Sequence, residues 1–143
     1  MAYKMTVTGK DGSYFFSEKM ITNVEFDSDT PKDSNARATD YGLGVKVYGK
    51  ILFDLLTSAA DPTLGLAKWS QVPSYNADCY RSIEVEVVAA SQVVRKFTLP
   101  QAFVVEYSET LDADAGVGTF FIHVRQKKDE NEAVAINGGF GAA

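Results

Sequence analysis

His123 is the only histidine and Cys79 the only cysteine in this 143-residue chain. Nucleophilic or acid–base chemistry near neutral pH would have to run through one or both. A reactive thiolate needs a base or a cationic setting beside it, and no local motif around Cys79 supplies one. A serine hydrolase would take its base from His123 and would carry a G-x-S-x-G turn, which the sequence lacks. One histidine and one cysteine cannot fill a four-ligand zinc shell. Asp27-Ser28-Asp29 and Asp112-Ala113-Asp114 pair oxygens without calcium-loop spacing, and aspartates so placed serve turns through their own backbone hydrogen bonds. Gly42-Leu43-Gly44 lacks the following helix and lysine of a phosphate loop. The reading is a non-enzyme with no cofactor and no metal. His123 then becomes an ordinary polar residue on a surface or in a lumen, opposite Phe120, Ile122 and Val124.

Composition bounds the remaining classes. Hydrophobic residues at 45% and charged residues at 23% are ordinary for a globular chain of one domain. A net charge of −5 disfavours nucleic acid and anionic lipid as main partners, because both demand a concentrated cationic surface. A lone cysteine forms no intrachain disulfide, which fits a reducing compartment. No stretch has the length and apolarity of a membrane span, and the opening residues show no cleavable leader. Assembly in the cytoplasm is expected, with any export left to a dedicated machine.

The elements that would position these residues are strands. Residues 3–8 alternate Tyr3, Met5 and Val7 against Lys4, Thr6 and Thr8, the period of a strand with one buried face. A turn at 9–12 leads to a second short strand at 13–17 and a third at 20–27. The next segment, 28–40, has no large apolar side chain and reads as an extended polar loop at 28–41, long enough to suggest a contact-making arm. Alternation resumes at 43–51, where Gly42, Gly44 and Gly49 suggest a bulge or a close backbone approach.

Over 51–60 the period changes: Leu52, Leu55, Leu56 and Ala59 share a helical face, and Asp61-Pro62 ends it. The segment 63–72 around Trp69 is either a helical turn or irregular packing. Strands follow at 81–88 and 93–99, then again after Pro100 through Phe103, Val105 and Tyr107. A turn-rich link spans 111–118, a last long strand carries Phe120, Ile122 and Val124, and 133–136 adds a short one. The tail at 137–143 is expected to be flexible. The fold class is all-β, mainly antiparallel: a small β-barrel or two-sheet sandwich with one short lateral α-helix.

This order of elements resembles the Hcp family and related inner-tube proteins of contractile injection machines. The resemblance runs through the strand at 20–27, the polar loop, the strand at 43–50 and the helix at 51–60. It continues in Ser82-Ile83-Glu84-Val85-Glu86-Val87-Val88, in residues 96–108 and in Thr119-Phe120-Phe121-Ile122-His123-Val124-Arg125. It implies a structural subunit forming hexameric rings that stack into a tube, in the manner of phage tails and type VI secretion. Implied partners are copies of itself and sheath, baseplate or cargo proteins. The subunit contacts expected are Asp29, Lys32, Asp33, Asn35, Arg37 and Asp40 on the arm, with Glu84, Glu86, Arg125 and Lys127 as secondary charge partners. The alternative from the residues alone is a monomeric or dimeric β-barrel module binding a peptide or carbohydrate through Tyr41, Tyr48, Trp69, Tyr75 and Tyr80. A small hydrolase using His123 is the third reading.

Overall fold

The computed structural model describes residues 1–10, 12–29, 41–51, 62–114 and 117–138. Alternating side chains build eight strands among the described residues: β1 (Ala2–Gly9), β2 (Gly12–Phe16), β3 (Ile21–Asp29), β4 (Gly42–Ile51), β5 (Arg81–Ala89), β6 (Gln92–Asp112), β7 (Val117–Gln126) and β8 (Ala135–Asn137). All pairings are antiparallel, in the order β2-β1-β5-β6-β7-β4-β3, with β8 on β6. The path ends at β2 and β3 and is not closed by hydrogen bonds among the described residues. The arrangement is sandwich-like, the second of the two forms expected.

The first half of β6 pairs β5, up to Arg81 opposite Ala102; the second half pairs β7, from Ala102 opposite Gln126 to Asp112 opposite Val117. Two layers therefore share one strand. They meet through Phe26 of β3 stacked on Phe97 of β6, with ring centroids 4.6 Å apart, and Phe16 of β2 against Phe120 of β7 at 5.9 Å. Met5, Val7, Val45, Val47, Ile83, Val85, Leu99, Ile122 and Val124 fill the space between and are buried, each contributing roughly 1.5–3 kcal/mol of apolar burial.

Pro100 does not break β6. The register slips between Arg81 and Ile83 opposite this point, so the missing proline N–H falls where the ladder passes from β5 to β7. β6 also runs past the expected link, through Leu111 to Asp112. The helix expected at 51–60 lies outside the described residues, apart from Ile51, which ends β4. Pro62 opens helix α1 (Pro62–Ser70), a first position that needs no N–H, and Asp61 before it lies outside the described residues. Leu66 and Trp69 of α1 are buried, and the Trp69 indole donates to the Cys79 carbonyl at 2.8 Å. Of the polar loop, Ser28 and Asp29 belong to β3 and 30–40 lie outside the described residues. Of the tail, Asn137 ends β8 and 139–143 lie outside them.

Among the described residues no helix is long and apolar enough to cross a membrane.

Two backbone positions generate expectations. The β5–β6 hairpin turns through Ala90 and Ser91, both at positive φ (53° and 61°). That geometry costs a non-glycine residue about 1–2 kcal/mol and suits Asn-Gly. Replacing Ala90-Ser91 by Asn-Gly should raise stability by about 1 kcal/mol in thermal unfolding. Gly49 lies at a bulge, and a Cβ there would stand 2.3 Å from the Met20 carbonyl oxygen and 2.5 Å from the Phe120 ring. Gly49→Ala should cost about 1–3 kcal/mol in denaturant unfolding.

Candidate functional site

Those of the expected contact residues that are described lie on separate elements. Lys32, Asp33, Asn35, Arg37 and Asp40 lie outside the described residues. Asp29 is the exposed last residue of β3, opposite Gly42. Glu84 and Glu86 project from β5 and both engage Lys96 of β6, at 2.9 and 3.9 Å. Their charges are thus already shared across one ladder. Arg125 and Lys127 stand at the end of β7, in the other layer. The Lys127 ammonium lies 3.4 Å from Asp129 and 5.3 Å from the centre of the Tyr80 ring.

His123 is not on the surface. It is only 8% exposed, and its Nε2 and the Oδ1 of Asp27 are both buried without a hydrogen-bond partner. Register explains the meeting. Asp27 of β3 pairs Gly44 of β4, which pairs Arg125 of β7, and His123 lies two residues from Arg125 on the same face. A Cβ on Gly44 would sit 3.0 Å from Asp27 Oδ1 and 3.3 Å from His123 Nε2, so the glycine is what lets both groups lie over the strand. Burial pushes the imidazole below its ordinary range, Arg125 and Lys46 add to this, and Asp27 and Glu106 oppose it. Strict alternation predicted the face of His123 correctly; a covered outer face is invisible to periodicity.

The remaining chemical candidates are structural. Cys79 is buried, its thiol 3.9 Å from the Ser74 carbonyl, and burial raises its pKa with Asp78 adding to the effect. A thiol so held stays protonated, and His123 faces a different set of groups. The Asp112 carboxylate accepts from the Asp114 N–H at 3.0 Å, the turn role expected of it. No group of three or more metal-ligating side chains occurs among the described residues. Trp69, at 1% exposure, is removed from the aromatic surface a binding module would need, and Tyr48 packs on Phe121 at 4.8 Å. Tyr75 remains open to solvent.

Edges and one end of the sandwich stand out instead. Beyond Ala102, β6 has β7 on one side and no described strand on the other. Ser108 to Asp114 are all exposed, Leu111 at 63%. β3 forms the opposite edge of the same layer. Where β6 changes partner, Lys10, Arg81 and Lys127 line a shallow groove with Gln101. Arg81 is buried there against Asp78, at 2.6 Å, and its guanidinium lies 5.6 Å from the centre of the Trp69 ring. That guanidinium holds the Asp78 carboxyl below its usual range. Neither the edge nor the groove is legible in the sequence; the one available signal for the edge is Leu111 among acids, in a segment that reads as a loop.

The histidine cluster predicts a pH effect. The unfolded chain takes up a proton near pH 6.5, and the folded chain does so only at lower pH. Stability should therefore fall as pH drops from neutral through about 6.5 toward the folded pKa, and level off below it. Urea unfolding of wild type and His123→Gln at several pH values should show that part of the slope vanish in the variant. An unchanged slope would mean that the imidazole titrates freely.

No family profile and no curated protein matches the sequence. Solved structures do match the fold. Hcp1 from the E. coli EAEC 042 pathovar superposes with TM-score 0.57 at 10% identity, covering 98% of this chain and 100% of that one. A chain of the anti-feeding prophage baseplate gives 0.55 at 13% identity, covering 97% and 94%. Hcp1 from Flavobacterium johnsoniae gives 0.53 at 15% identity, covering 94% and 95%. The chain shares the fold of these proteins over nearly all of its aligned length.

Proposed function

We propose that this chain is a non-enzymatic structural subunit that forms hexameric rings and that the rings stack into the inner tube of a contractile injection or type VI secretion-like apparatus. The observation that carries this reading is a shared fold covering nearly all of both chains, together with a layer whose two edges, β3 and the second half of β6, have no further strand partner among the described residues. Unpaired edges are templates for further pairing. A ring joins one edge of each copy to the other edge of the next and leaves neither exposed. The arm at 28–41, with Asp29, Lys32, Asp33, Asn35, Arg37 and Asp40, reaches across to an adjacent subunit. Arg125 and Lys127 serve as charge partners there, and sheath, baseplate or cargo proteins are the further partners.

Electrostatics sets a condition on assembly. Six copies at −5 each bring a formal charge of −30 into one ring, so local complementarity and apolar contact must outweigh the repulsion. Particle mass measured by light scattering should change between low and high ionic strength and should fall on dilution, with rings visible by negative-stain microscopy. A mass of one or two chains throughout, with no rings, would sink the proposal.

A further inference from the structure

The β6–β7 hairpin carries an unusual end. From Val104 to Thr119 the sequence has four acids, Glu106, Glu109, Asp112 and Asp114, and no lysine, arginine or histidine. At its end Leu111 stands 63% exposed between carboxylates. An isolated apolar residue amid acids is a poor surface and a good ligand: the leucine supplies burial, the acids supply direction.

A matching receptor lies at the other end of the same hairpin. Trp69, Val72, Cys79, Tyr80, Phe103 and Val104, with two serines, line a half-enclosed recess of about 210 Å³. An apolar cavity of about 150 Å³ accommodates a benzene ring, so the recess has room for a leucine side chain. Tyr80 also lines the adjoining groove, whose other walls include Lys10, Arg81 and Lys127; Arg81 is already paired with Asp78, and Lys127 lies 3.4 Å from Asp129. The recess is therefore walled largely by aromatic and aliphatic side chains, with the ammonium groups of Lys10 and Lys127 near its margin to face the carboxylates of the hairpin end.

The two features cannot meet within one molecule. Phe103 and Leu111 are eight residues apart along β6, a separation of roughly 25 Å in an extended strand. The occupant must come from a second copy, and end-to-recess contact is heterologous: each copy offers one half and accepts the other. We propose that Leu111 of one copy seats in the Trp69–Phe103 recess of the next, with Asp114 and its neighbouring acids against Lys10 and Lys127, and that this contact joins successive rings. The assignment to rings rests on the tube reading above; the contact itself needs only two copies.

The test uses full-length protein, with particle mass followed by light scattering against concentration and stack length by negative-stain microscopy. Leu111, Asp114 and Lys10 are all exposed, so their substitution leaves the core alone. Leu111→Asn should weaken each contact about tenfold or more, leaving rings that no longer stack. Asp114→Lys and Lys10→Glu should each do likewise, because each sets like charges across the contact. Mixing these two variants should restore growth, since each then meets its complement. Wild-type rings that stack, with all three variants stacking equally well, would overturn this contact and leave the tube reading intact. A wild type that stays a single chain at every concentration would overturn both.

Discussion

One strand has to satisfy two sheets. β6 spends its first half in the ladder with β5 and its second half in the ladder with β7, and everything else is arranged around the point of exchange. The strand needs to change direction there without stranding backbone polar groups. It does so with a proline that has no N–H to lose, a register slip opposite it, and a second slip between Val104 and Glu106. Bulges of this kind increase local twist and re-aim side chains. The bend brings Phe97 under Phe26, and the layers then close on a core of β-branched residues and leucines.

The same bend explains what lies near it. Gln126 accepts from the Gln101 N–H at 3.2 Å and donates to the Glu130 carbonyl at 3.2 Å, so a fully buried amide stitches the corner to the turn that follows β7. Trp69, Arg81 and Asp78 fill the opposite side as a stack of indole, guanidinium and carboxylate. Burying Arg81 is tolerable because the carboxylate and the Asp78 carbonyl both accept from it. The recess and the cationic groove are products of this corner, not additions to it.

Period-two alternation made most of the fold legible. Met5 and Val7, Val45 and Val47, Ile83 and Val85, and Ile122 and Val124 all face the core as their spacing requires. The failures have physical causes. Pro100 reads as a strand end because a single sequence does not reveal that two partners exchange at that residue. The segment from 111 onward reads as loop because it lacks a buried face, yet a strand held by β7 along one edge needs none. His123 lies on the expected face, but the depth of that face depends on Gly44 and on Asp27 arriving from another strand. Of the candidate site, charge types were legible and partners were not: Glu84 and Glu86 look free until Lys96 is placed across from them.

The position of the single tryptophan has a spectroscopic consequence. Trp69 of α1 packs against the sandwich beneath the recess and is 1% exposed although it lines the recess, its indole N–H held by the Cys79 carbonyl. Its emission therefore reports whether α1 is seated on its own chain. A blue-shifted signal that survives dilution while particles shrink marks separation of intact subunits, and a red shift marks undocking of the helix. The chain thus carries an intrinsic optical label that tells disassembly from unfolding.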